Sequence, residues 1–286
     1  MSVLLMALLT AEPFTVTGYL PSYRMDSWDA SNAGPLTDVV YFQVTPRPDG
    51  TLPPEPFAAE MMTKLAAIRA GGLRVSLCIG GWGKSETFRS VVGSAAHRRA
   101  LIDALRRLPF DGYDLDWEYP ETAADWAGLN ALLRELRLAA PNRLITLAVA
   151  GSRPPPAATL PLIDRLHVMS YDHAFPHATP WKTTADIDRM LAAGCPPGKL
   201  ILGLPFYGRA RDRNATAYRD LPVGPVDLDV SETGVAFNGP ATIELKVRDA
   251  RRRGLGGVMI WELGQDRTDS RSLLRAIGRE LASETD

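Results

Sequence analysis

The sequence predicts an α/β fold, a (β/α)8 TIM barrel forming one domain, and three observations lead there. Short β-rich runs recur at 15–19, 39–44, 73–79, 112–117, 144–149, 165–170, 200–206 and 257–261, with residue types and lengths that suit strands. Helical patterns stand between most of them, as a parallel sheet closed by crossover helices requires. The 286 residues also fit one barrel of about 250 residues, with no linker, internal repeat or low-complexity tract to divide them. A doubly wound open sheet is the rival. It normally carries a glycine-rich phosphate loop after its first strand, and Gly18-Tyr-Leu-Pro-Ser22 does not supply one.

Taken in order, residues 1–13 read as a leader or N-terminal extension. The apolar run at 3–9, followed by Thr10 and Ala11, resembles the end of a signal peptide, although no Lys or Arg precedes it and Leu9 is large for that position. It is too short to cross a membrane. A secreted or periplasmic protein is expected, with the cytoplasm as the alternative. The helical segments fall at 58–70, 95–107, 123–139, 184–193, 241–253 and 271–281; Gly71-Gly72, Gly194 and Gly254 end three of them. Residues 27–37 and 154–163 hold too much Pro or Gly for long helices. Residues 208–239, between the seventh strand and the next helix, are punctuated by Asn, Asp, Gly and Pro, with a short strand expected at 235–237.

With 45% hydrophobic and 23% charged residues and a net charge of −1, the chain is an ordinary globular protein that offers nothing to nucleic acid or an anionic membrane. Arg248, Arg251, Arg252 and Arg253 read as the solvated face of one helix. Cys78 and Cys195 make no disulfide framework. His97, His167, His173 and His177 lack metal-site spacing, so neither metal nor cofactor is expected. A monomer is expected.

The stretch 110–118, Phe-Asp-Gly-Tyr-Asp-Leu-Asp-Trp-Glu, carries the chemistry. Successive strand side chains point to opposite faces, so Asp114, Asp116 and Glu118 share one face and Tyr113, Leu115 and Trp117 the other. Stacked acids on a buried strand are costly unless protons or hydrogen bonds compensate them, which marks a site rather than a scaffold. Barrel sites form at the carboxyl ends of the strands. Those ends read Gly18-Tyr19, Tyr41-Phe42-Gln43, Cys78-Ile-Gly80-Gly81-Trp82, the acidic stretch, Met169-Ser-Tyr171-Asp172, Phe206-Tyr207-Gly208 and Ile260-Trp261-Glu262. Aromatic faces and carboxylates converging on one rim suit a sugar. Trp28, Trp82 and Trp181 are loop candidates for neighbouring subsites.

These residues resemble glycoside hydrolase family 18, the chitinases and their relatives. Asp111, Asp114, Asp116 and Glu118 match its DxxDxDxE signature, Met169 to Asp172 its MxYD, and Cys78 to Gly81 its SxGG with Cys in place of Ser. The resemblance covers residues 14 to about 280, makes 14–286 the catalytic barrel, and marks 208–239 as a reduced form of the family's α+β insertion. It implies substrate-assisted hydrolysis of β-1,4-linked N-acetylglucosamine glycans, such as chitin or its oligomers, with retention. Glu118 is then the general acid, Asp116 orients the substrate's acetamido group, Tyr171 donates to its oxygen, and Asp114 tunes Asp116, sharing its proton or leaving it to Glu118. Trp261 becomes the floor of the reacting subsite, with Tyr207, Asp172, Tyr19, Phe42, Trp82 and Gly81 as further substrate-binding residues. Tyr19 and residue 78 hold Asp114, and Cys78 bonds more weakly than Ser would. Asp111, on the other face of the strand, is structural. Endo-β-N-acetylglucosaminidase action on N-glycans or peptidoglycan, and a non-catalytic chitin-binding lectin, are the alternatives. The partner implied is an N-acetylated glycan.

Overall fold

Eight parallel strands close into a barrel in the computed structural model, which describes residues 13–222 and 229–283. In chain order the elements are β1 (Thr15–Pro21), β2 (Asp38–Val44), α1 (Ala59–Ala70), β3 (Arg74–Trp82), α2 (Ser85–Gly93), α3 (Ala95–Leu105), β4 (Gly112–Glu118), α4 (Ala123–Ala139), β5 (Leu144–Ala150), β6 (Arg165–Met169), α5 (Pro180–Ala192), β7 (Leu200–Pro205), β8 (Tyr207–Arg209), β9 (Ala215–Ala217), α6 (Pro240–Arg252), β10 (Gly257–Trp261) and α7 (Leu273–Ala282). The barrel order is β1-β10-β7-β6-β5-β4-β3-β2, so all eight expected strands take part.

The alternation on β4 sorts as its sequence requires. Trp117 faces outward and stacks on Phe88 of α2, with ring centroids 5.1 Å apart, a contact worth about 1 kcal/mol beyond its burial. Tyr113, also outward, donates its hydroxyl to the Leu105 carbonyl at the end of α3. The acids therefore point into the barrel, where the register sets Asp114 beside Cys78 and Thr146, and Asp116 beside Gly80 and Ala148. Asp111, just before the strand, accepts from Arg69 and from the Val75 backbone N–H, as a structural residue would.

Several details differ from expectation. α2 was not anticipated, because a nine-residue helix ending in Val91-Val92-Gly93 offers little periodicity; it still buries Phe88, Val91 and Val92 on one face. Pro180 opens α5 four residues earlier than its pattern suggests, since a first-turn proline loses no hydrogen bond. The Pro- and Gly-rich connections hold only 3-10 turns at Ser22–Ser27, Ala30–Asn32 and Ala157–Leu162. Residues 235–237 form bridges, not a strand: Ala236 exchanges backbone hydrogen bonds with Arg209, beside the β8–β9 hairpin. The arginines of α6 are not a solvated face. Arg248 and Arg251 reach Glu280 on α7, and Arg253 reaches Asp188 on α5, so three of the four tie helices together. Cys78 and Cys195 are both free and buried.

Among the described residues no helix is long and apolar enough to cross a membrane. The leader-like run at 3–9 lies outside the described residues, as does part of the 208–239 segment, at 223–228.

Candidate active site

Three acids two residues apart on one strand acquire three different environments. Asp114 is fully buried. Its carboxylate accepts from the Tyr19 hydroxyl at 2.7 Å and from Thr146, and His167 Nδ1 lies 3.3 Å away. Cys78 stands beside it in register on β3. Tyr19 has one proton and gives it to Asp114, so its contact of 2.9 Å with His167 Nδ1 requires an Nδ1–H that donates to the phenol oxygen. Burial alone would raise the Asp114 carboxyl, but His167, Thr146 and Tyr19 outweigh it and hold it below the usual carboxylate range. Asp114 is the ionised member.

Asp116, one pleat nearer the rim, has the opposite setting. Its Oδ1 is buried without a hydrogen-bond partner among the described residues. Burial, then the charge of Glu118, then that of Asp114, push its carboxyl well above the ordinary value. Glu118 is raised too, by burial and by the charge of Asp172, against a hydrogen bond from Tyr119. The site's mobile proton is therefore held between Asp116 and Glu118 rather than on Asp114, and the two titrate as a pair.

The rest of the rim comes from the other strand ends. Tyr171, after β6, has its hydroxyl 4.0 Å from Met259 Sδ and meets no stronger acceptor among the described residues. Asp172, at φ 60°, accepts from the Tyr207 hydroxyl at 2.7 Å and from both sides of the Arg209 guanidinium. Burial opposes ionisation there, yet His177, 3.6 Å away, and the bonds from Arg209 and Tyr207 hold its carboxyl far below the usual range. Trp261 closes the floor, edge-on to Phe42 at 4.7 Å and to Tyr19 at 5.7 Å.

Gly80 and Gly81 have φ of 108° and 101°, a conformation that favours glycine. Added Cβ atoms would come within 2.4 Å of the Asp116 carbonyl at Gly80 and 2.1 Å of Gln43 Oε1 at Gly81. These two residues let β3 approach the acid strand and turn Trp82 outward, where it is 74% exposed and edge-on to Tyr119.

Asp116, Glu118, Tyr171, Asp172, Tyr207, Phe42, Trp82 and Trp261 thus line one cleft of about 640 Å³. Tyr19 and Asp114 do not line it. They sit beneath the floor, where the Tyr19 hydroxyl donates to Asp114. Gly81 shapes the wall through Trp82. Two tryptophans lie elsewhere: Trp181 is exposed on α5 beside Lys182, and Trp28 lines a second cavity of about 630 Å³ with Leu263 and Arg275. The acids on its lining are Asp29 and Asp266, and the half-buried Asp266 carboxylate is occupied by the first backbone N–H groups of α7 and by Ser272.

Sequence reasoning missed His167, Thr146 and Arg209. The first two were findable by parity, because His167 alternates with Met169 on the inward face of β6 and Thr146 with Ala148 on β5. Arg209 follows Tyr207 by two residues on β8, the parity that puts both on Asp172. His173, set aside as a metal ligand, pairs instead with Asp186 at 2.9 Å.

Comparison with known proteins follows the same residues. The model for glycosyl hydrolases family 18 matches residues 16–266. Chitinase 1 of Aphanocladium album is similar, with 25% identity over 280 residues, 74% of this chain and 66% of that one; the chain therefore spans just under two thirds of that relative. Among solved structures, a chitinase from Bacteroides thetaiotaomicron has a TM-score of 0.84 at 23% identity, covering 94% of this chain and 96% of that one. The chitinase-like agglutinin RobpsCRA of Robinia pseudoacacia has a TM-score of 0.79 at 25% identity, covering 92% and 98%.

Proposed function

Because the chain belongs to glycosyl hydrolases family 18, we propose that its cleft hydrolyses β-1,4-linked N-acetylglucosamine glycans, chitin or chito-oligosaccharides, with retention and with the substrate's acetamido oxygen as nucleophile. The observation that carries this reading is the split of one acid strand into an ionised Asp114 and a protonated Asp116–Glu118 pair beneath an open rim. Glu118, half-buried at the cleft with its carboxyl raised by burial, takes the pair's proton and gives it to the glycosidic oxygen. The acetamido oxygen closes on the anomeric carbon as that bond breaks. Asp116, left ionised once the shared proton sits on Glu118, accepts the acetamido N–H and supplies negative charge where the oxazolinium ion develops positive charge. Tyr171 donates its hydroxyl to the acetamido oxygen and fixes the angle of attack. Water then opens the oxazolinium ion, giving its proton to Glu118, so the anomeric configuration is retained. The reacting sugar must therefore be N-acetylated.

A glycan-binding role without catalysis is the second reading, favoured by the agglutinin among the structural neighbours. A binding protein has no need of a proton held on Glu118 or of a desolvated Asp116. The test is hydrolysis of chromogenic chitobiose and chitotriose beside an N-glycopeptide, with Glu118→Gln as control. Turnover should fall by about 10²- to 10⁴-fold in the variant, with binding kept. Equal inactivity of both proteins on every N-acetylated glycan that they bind would leave only the lectin reading. A product of inverted configuration by proton NMR would remove the acetamido mechanism.

A further inference from the structure

Charged groups in the cleft do not balance. Its acids are Asp116, Glu118 and Asp172, and its cations Arg153, Arg209 and Arg213. Asp172 is fully engaged by Arg209. Asp116 and Glu118 are both raised by burial, so together they hold at least part of a proton. Arg153 and Arg213 remain, and neither guanidinium meets a carboxylate among the described residues. Arg153 is not loose: it lies over the Tyr119 ring, 4.9 Å from the centroid. Arg213, at φ 71°, has its carbonyl fixed by Arg209 Nη1 at 2.6 Å, which pins the hairpin that carries it. A neutral N-acetylglucosamine polymer offers these two cations oxygen acceptors but no counter-charge.

We propose that Arg153 and Arg213 form a subsite for an anionic substituent on the glycan, and that the chain prefers an N-acetylated β-1,4 glycan bearing carboxylates to a neutral one. The inference rests on the reading of the cleft as an N-acetylated glycan site, and narrows the substrate class within it. Trp261 and Asp116 take the reacting sugar, so the leaving sugar falls beyond Glu118, where Tyr119, Trp82 and Arg153 stand together. A carboxylate on that sugar, such as a 3-O-lactyl ether would carry, meets a guanidinium whose planar fork suits two oxygens and whose plane is already stacked.

The test uses two tetrasaccharides of alternating N-acetylglucosamine and its 3-O-lactyl ether, one with free carboxylates and one with the same groups converted to carboxamides. They share length, shape and N-acetylation and differ only in charge. Their dissociation constants are measured by calorimetry on the full chain carrying Glu118→Gln, then with Arg153→Gln and Arg213→Gln added. The carboxylate form should bind about fivefold to tenfold more tightly at low salt. That ratio should fall toward one in the double arginine variant and in about 0.5 M salt, where the screening length is roughly 4 Å. It should survive Arg252→Gln, on the exposed end of α6. A ratio of one in the starting protein, or a preference that survives loss of both arginines, overturns the subsite. Failure of the unaltered chain to cleave any N-acetylated glycan would instead remove the proposed function, while the binding ratio still decides this inference.

Discussion

Lys246 gives a stability prediction with a sign and a size. It is 2% exposed on α6, and its ammonium donates to the Ala178 carbonyl and to Asn238 Oδ1, each at 2.8 Å. Burial pushes its pKa from 10.5 down to about 7, against smaller opposing effects of Asp229 and Asp186. Between those values the unfolded chain holds a proton that the folded chain does not, so stability rises with pH across that window. The whole shift, 10.5 minus about 7, corresponds to about 5 kcal/mol. Roughly 3 kcal/mol of it is realised between pH 6 and pH 9. Lys246→Met removes the titration. It also leaves two acceptors unpaired, at a cost of about 1–3 kcal/mol each, which does not vary with pH. Denaturant unfolding of both proteins at intervals from pH 6 to pH 9 should show the wild-type advantage growing by about 3 kcal/mol. A difference that stays flat within about 0.5 kcal/mol would refute the account. Its consequence reaches the cleft, because Ala178 belongs to the loop that carries Asp172 and His177.

Other perturbations act on the site itself. His167→Asn removes the imidazole that stands 3.3 Å from Asp114 and helps hold that carboxyl low, so the carboxyl rises and the acidic limb of the kcat/KM profile moves to higher pH; an unmoved limb would leave His167 a packing residue. Arg209→Met strips both guanidinium bonds from Asp172 and should lower kcat/KM about tenfold, read in steady-state kinetics, with the half-exposed setting limiting the loss. Gly81→Ala combines an unfavourable φ of 101° with a Cβ only 2.1 Å from Gln43 Oε1; it should cost about 2–4 kcal/mol in denaturant unfolding and raise KM by displacing Trp82.

The barrel was legible because its strands are buried on both faces and separated by glycine-closed helices, a pattern that survives without any tertiary information. The acid ladder was legible from parity alone. What escaped was whatever parity does not encode. Trp28 and Trp181 look like Trp82 in the sequence, yet only Trp82 follows a left-handed glycine pair that sets it on the rim of the cleft beside Tyr119. Tyr19 sits at a strand end like Tyr171, but one lies beneath the floor and the other above it, a difference of depth along the barrel axis. The α6 arginines fit a solvated face until Glu280, on α7 beyond the last barrel strand, takes two of them. Each miss concerns a partner brought in by closure of the barrel.

Closure also explains how identical chemistry yields different acids. Asp114 and Asp116 are the same residue type, two positions apart on one strand, and both are nearly inaccessible. Desolvation raises each, so it cannot separate them. The separation comes from the facing strands: at the level of Asp114 stand Tyr19, Thr146, His167 and Cys78, all able to donate, whereas beside Asp116 stand Gly80 and Ala148, which bring no side-chain donor. The glycine is forced by the approach of β3 to β4, since a Cβ there would strike the Asp116 carbonyl. The same constraint that packs the two strands thus strips Asp116 of support. It leaves that carboxyl dependent on a proton shared with Glu118, or on a donor brought by a bound ligand.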